Sequence, residues 1–106
     1  MGEAKWGVLE RFRLFPGRGA APGRSDLLRR AVEGRVALLR AGAHMLGPFR
    51  VVDEAGEWWL LAWKFPDRSA AEGLRRLHED PDWLRSVETR VEEGPEGDLA
   101  DGLPGG

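Results

Sequence analysis

The chain contains no cysteine, so disulfides, thiolate metal sites and cysteine nucleophiles are excluded together. It also lacks tyrosine, isoleucine, asparagine and glutamine, while Leu, Arg, Ala, Gly and Glu dominate. Absence of the thermolabile amides beside abundant Arg and Glu fits a heat-adapted source or a GC-rich genome. No apolar run approaches the roughly 20 residues of a membrane helix, and no signal-peptide pattern opens the chain, so a soluble cytoplasmic protein is expected. A strong excess of one charge is missing too: 16 basic and 18 acidic residues give a net charge of -2, which argues against a nucleic-acid partner. At 106 residues one compact domain is expected.

Charge and flexibility are unevenly placed. The segment 94–106 holds five Gly, two Pro and the acids Glu96, Asp98 and Asp101. It reads as a flexible tail or an arm lying on a partner, leaving a folded domain over 1–93. Without those three acids the body has 15 acidic and 16 basic residues, a charge of +1. Pro16 to Arg24 is a Gly/Pro-rich loop.

Periodicity predicts six elements. Lys5 to Phe15 alternates Trp6, Val8, Phe12 and Leu14 as a strand, and Ser25 to Ala41 is an amphipathic helix capped by Ser25 or Asp26. Ala43 to Val52 and Glu57 to Phe65 form a hairpin around Asp53 to Gly56. Ser69 to Glu79 is helical, Asp80-Pro81 starts a further helical turn, and Ser86 to Glu93 is a half-exposed strand. The order βαββαβ is that of a ferredoxin-like α+β fold: a four-stranded antiparallel sheet with both helices on one face.

Glu57 to Phe65 (EWWLLAWKF) is apolar on both sides, which an antiparallel sheet with one solvated face does not show. Two helices cover one face only. The expected cover for the other is a second subunit, giving a homodimer with two sheets facing each other; the competing expectation is a monomer whose tail folds over the sheet.

This order and the doubly apolar third strand resemble the dimeric α+β barrel superfamily, which includes the antibiotic-biosynthesis monooxygenases and the YCII-related proteins. Leu46-Gly47-Pro48, Asp53 to Gly56, Phe65, Ala70, Ala71 and Asp80-Pro81 are similar to the YCII pattern, over roughly residues 42 to 85. The departures are equally specific. The first helix has no histidine, so the YCII His-Asp dyad cannot be carried over; Phe65 stands where the monooxygenase relatives have tryptophan; and the asparagine of the haem-degrading branch is missing.

If Val52 pairs with Glu57, then His44, Leu46, Pro48, Arg50 and Val52 share a face with Trp59, Leu61, Trp63 and Phe65. That face suits the barrel interior. Met45, Phe49, Val51, Trp58, Leu60 and Ala62 would then pack under the helices, and a one-residue slip would exchange the two sets. On the first strand Val8, Phe12 and Leu14 point to the core and Leu9, Arg11, Arg13 and Phe15 to the barrel. The candidate ligand site is Arg11, Arg13, Arg50, Trp59 and Trp63, suited to a planar aromatic or conjugated molecule bearing an anionic group, with His44 as a candidate general base. The competing reading has the arginines snorkel to the rim and the tryptophans pack in the dimer core. His78 reads as structural, and two histidines without cysteine give no metal-ligand spacing, so neither a metal nor another cofactor is expected. Arg35 falls in the middle of the apolar arc of the first helix, and its predicted partner is Glu10, the one charge on the core side of the first strand. The leading functional reading is a homodimer that binds a small aromatic or anionic molecule, with cofactor-independent monooxygenase or lyase chemistry open to it. The alternative is a non-catalytic binding or assembly module whose aromatic face serves dimerisation only.

Overall fold

The structure is a computed structural model that describes residues 5–14, 24–54 and 56–99. Strand β1 (Trp6–Leu14) leads to helix α1 (Arg24–Arg40), followed by the hairpin strands β2 (His44–Asp53) and β3 (Gly56–Phe65). Helices α2 (Arg68–His78) and α3 (Pro81–Ser86) precede β4 (Val87–Pro95), and a short turn of helix, α4 (Glu96–Leu99), closes the described chain. All strand pairs are antiparallel, in the order β2-β3-β1-β4. This is the ferredoxin-like α+β fold expected from the sequence. Phe15, the loop from Pro16, Ala55 and residues 100–106 lie outside the described residues.

Local chemistry sets the element ends. The Asp67 carboxylate accepts from the Ala70 backbone N–H at 2.8 Å and starts α2; Asp80 does the same for Asp82 at 2.8 Å, with Pro81 in the first helical position. Helix α1 begins at Arg24, one residue ahead of the expected cap Ser25.

One side of the sheet carries the main core, in which Val8 and Phe12 of β1 and Leu61, Trp63 and Phe65 of β3 pack with Ala71 and Leu74 of α2. The other side has its own cluster of Leu9, Leu60 and Ala62, flanked by Phe49 and Val51 and closed by Leu99 of α4. The doubly apolar β3 is thus buried on both sides, as its sequence requires, and the chain itself supplies part of the second cover. The folded body reaches Leu99, six residues past the boundary expected at 93.

The assignment of the two sheet faces is corrected. Val52 does pair with Glu57, and that register holds back to Phe49 opposite Leu60. A bulge at Gly47-Pro48, whose peptide bond is cis, then shifts the ladder so that Leu46 faces Ala62 and His44 faces Lys64. On its other edge β3 pairs Trp63 with Val8 and Trp59 with Phe12, which fixes Trp59, Leu61, Trp63 and Phe65 on the helix side. Trp58, Leu60 and Ala62 face the opposite side, free of α1, α2 and α3 and called helix-free below although the short turn α4 lies on it, together with Leu9, Phe49 and Val51. The hairpin pattern alone leaves two solutions, and its pairing with β1 chooses between them.

Candidate functional site

Two polar constellations stand out, one on each side of the sheet. On the helix side, β1 places Glu10 between Val8 and Phe12, where it is fully buried opposite the equally buried Arg35 of α1. Arg35 Nε donates to Glu10 Oε1 at 2.9 Å and a second guanidinium nitrogen pairs with Oε2, as the sequence predicts. The Trp63 indole N–H donates to Oε1 at 3.2 Å, and His78 Nε2 lies 2.5 Å from Oε2 with its Nδ1 3.0 Å from the Thr89 hydroxyl. The Arg35 guanidinium also stacks on Trp83, 4.5 Å from the ring centroid. Burial by itself would raise the Glu10 pKa; the hydrogen bonds from His78 and Arg35 and their positive charge outweigh it and hold the carboxyl below its ordinary value. Both ring nitrogens of His78 and both oxygens of Glu10 are engaged. A cluster so fully satisfied offers no lone pair to a substrate and acts as a polar lock between α1, α2 and the sheet.

The second constellation lies on the helix-free side. Trp58 is fully buried there, with the guanidinium groups of Arg13 and Arg90 each 4.4 Å from its ring centroid. Its indole N–H donates to Asp53 Oδ1 at 3.1 Å; Arg13 Nε donates to Glu88 at 2.8 Å, and Arg90 lies 3.7 Å from Asp53. Arg11 sits directly opposite Arg90 in the β1–β4 ladder. Its Nε is buried with no hydrogen-bond partner, and it borders a cavity of about 170 Å³ lined by Leu9, Arg11, Arg90, Val91 and Glu92. Beyond Leu9 lies a second cavity of about 140 Å³, where Leu46, Ala62 and Leu99 provide an apolar wall and Lys64 pairs with Glu96 at 2.6 Å.

The six sequence candidates are therefore divided. Arg11, Arg13 and His44 lie on the helix-free face; Arg50, Trp59 and Trp63 lie on the helix side. Trp63 is a donor to Glu10 within the main core, and Trp59 packs against that core. Arg50 is at the exposed sheet edge, ion-paired to Glu57 at 2.9 Å. His44 is exposed beside Lys64, at the opposite end of its face from Trp58. On the helix-free face the tryptophan is Trp58 rather than Trp59 or Trp63, and the arginine beside Arg11 and Arg13 is Arg90 rather than Arg50. Trp58 was legible as half of the doubly apolar strand, whereas Arg90 looked like an ordinary solvated charge on an alternating strand. His78 is structural, as the sequence suggests, but its partners Glu10 and Thr89 come from two strands distant in sequence and carry no local signal.

No protein-family model matches the chain and no curated protein is significantly similar to it. Among solved structures, the de novo designed protein Foldit4 superposes with a TM-score of 0.55 at 13% identity, covering 87% of this chain and 98% of its own. A dimeric ferredoxin-like protein from an uncultured marine organism does so at 0.51 and 15% identity, covering 88% and 95%. A mutant of SnoaB, a cofactor-independent oxygenase from Streptomyces nogalater, gives 0.49 and 11% over 86% and 91%. The class defined by topology and by the first two neighbours is the ferredoxin-like α+β fold, and at these identities the likeness extends to the fold alone. Among the described residues no helix is long and apolar enough to cross a membrane.

Proposed function

We propose that the protein is a small-molecule binder whose site is the helix-free sheet face, and that two copies associate through that face. The observation that carries the ligand half is Arg11: a cation with a buried, unpartnered Nε, facing Arg90 at the rim of a cavity whose other arginine, Arg90, stacks on Trp58. Leaving such a group unsatisfied is costly, and an anion bound there would complete it. A planar aromatic carboxylate or phenolate combines the two requirements, since its charge pairs with a guanidinium and its ring packs on the adjoining apolar surface. Association is supported by the half-exposed Leu46 beside Phe49 and Val51 on the same face, and a solved protein of this fold is described as dimeric.

Cofactor-independent monooxygenase or lyase chemistry would need a base at this site. His44 is the candidate, and it has no carboxylate partner among the described residues, so binding is the better-supported half of the proposal. Calorimetric titration with salicylate and 1-naphthoate, beside the neutral amides of the same acids, tests it. Wild type should bind the acids and discriminate against the amides, and Arg11→Met should remove the discrimination. No binding, with sedimentation still reporting a dimer, would replace this proposal by the alternative of a pure assembly module.

A further inference from the structure

The cavity beyond Leu9 differs chemically from the arginine end. Its wall is mainly aliphatic, from Leu9, Leu46, Ala62 and Leu99 with Trp63 also at its edge, and its cation is Lys64. Lys64 is held by Glu96, the first residue of α4, whose backbone N–H donates to the Lys5 carbonyl at 2.9 Å. Gly7 is what lets α4 lie so close: a Cβ there would stand 3.2 Å from the Glu96 Cα and 3.3 Å from Leu99 Cδ1. Four residues cannot sustain a helix by themselves, so α4 is held by these few contacts. It brings a carboxylate to the ammonium and an aliphatic side chain to the slot, and those two groups together describe a ligand. Hydrogen bonding to Lys64 and its charge also lower the Glu96 pKa, as they would for any carboxylate placed there.

We propose that this slot binds a short-chain aliphatic monocarboxylate, whose carboxylate takes the place of Glu96 on Lys64 and whose chain lies against Leu9, Leu46 and Ala62. The cavity of about 140 Å³ is comparable to the roughly 150 Å³ that accommodates one benzene, so a chain of a few carbons is the size to test. The site stands apart from the arginine end, shares Leu46 with the surface through which two copies are proposed to associate, and has α4 as its built-in competitor.

The test is titration of the full chain with hexanoate and with hexan-1-ol. Hexanoate should bind the tighter of the two. Lys64→Met should abolish the preference for the acid, Glu96→Gln should tighten hexanoate binding several-fold by removing the competitor, and Arg11→Met should change neither. Both Lys64 and Glu96 are partly exposed, so these variants keep the core intact. Failure of hexanoate to bind either wild type or Glu96→Gln would overturn the proposal, as would an acid preference that survives Lys64→Met. If Arg11→Met instead removes hexanoate binding, the carboxylate belongs at the arginine end; the slot is then refuted while the proposed function stands.

Discussion

A single carboxylate, Glu10, connects the sheet to two helices and one of its own tryptophans. Breaking its pair from one side leaves a buried charge uncompensated, so Glu10→Gln or Arg35→Met is expected to cost about 3 to 5 kcal/mol in chemical denaturation. Removing both charges with apolar residues should cost clearly less than the sum of the single changes, which a double-mutant cycle measures directly. The depressed Glu10 pKa has a defined sign: the native state holds the ionised form, so its stabilisation is complete above the ordinary carboxylate value and is lost as pH falls through that value and below it. Stability followed by urea unfolding should therefore decline on acidification from about pH 5, and Glu10→Gln should flatten that decline. The Arg35–Glu10 pair was legible because each is the one charge in an apolar pattern. His78 was harder, since a histidine on a helix stripe says nothing of what the facing strands present.

At the scale of elements, seven of the eight fall where apolar periodicity and capping residues put them, apart from boundaries, and only the final turn α4 does not. What periodicity could not provide was the face assignment, because β3 is apolar in both parities and β2 contains a bulge. Gly47 is central to that bulge: its φ is +114°, and a Cβ would come within 2.7 Å of the Leu60 carbonyl oxygen. Gly47→Ala is accordingly expected to destabilise the protein by at least about 1 kcal/mol, more than Gly34→Ala in α1, where an added Cβ meets nothing within 4 Å. Thermal unfolding of the two variants side by side checks this. The turn α4 is hidden for a compositional reason: a Gly/Pro-rich acidic segment gives no helix signal, and Leu99 finds its place only against Leu9 and Gly7.

On the scale of the whole molecule, the sheet separates the buried Glu10 cluster from a face that carries two cavities and a buried Arg11 Nε without a hydrogen-bond partner. The sequence candidates mixed residues from both sides because the pairing of β3 with β1 and the bulge in β2 set their faces independently. The proposed association of two copies gives a direct expectation: Leu46→Asp, at a half-exposed site on the helix-free face, should shift the sedimenting species from dimer to monomer without unfolding the chain. The same division locates the ligand. Methyl NMR of the leucines during titration with salicylate reads both sides at once, because Leu9 and Leu60 report the helix-free face and Leu61 and Leu74 the helix-covered core. Shifts confined to Leu9 and Leu60 and absent from Arg11→Met are the predicted result; shifts centred on Leu61 and Leu74 would contradict it.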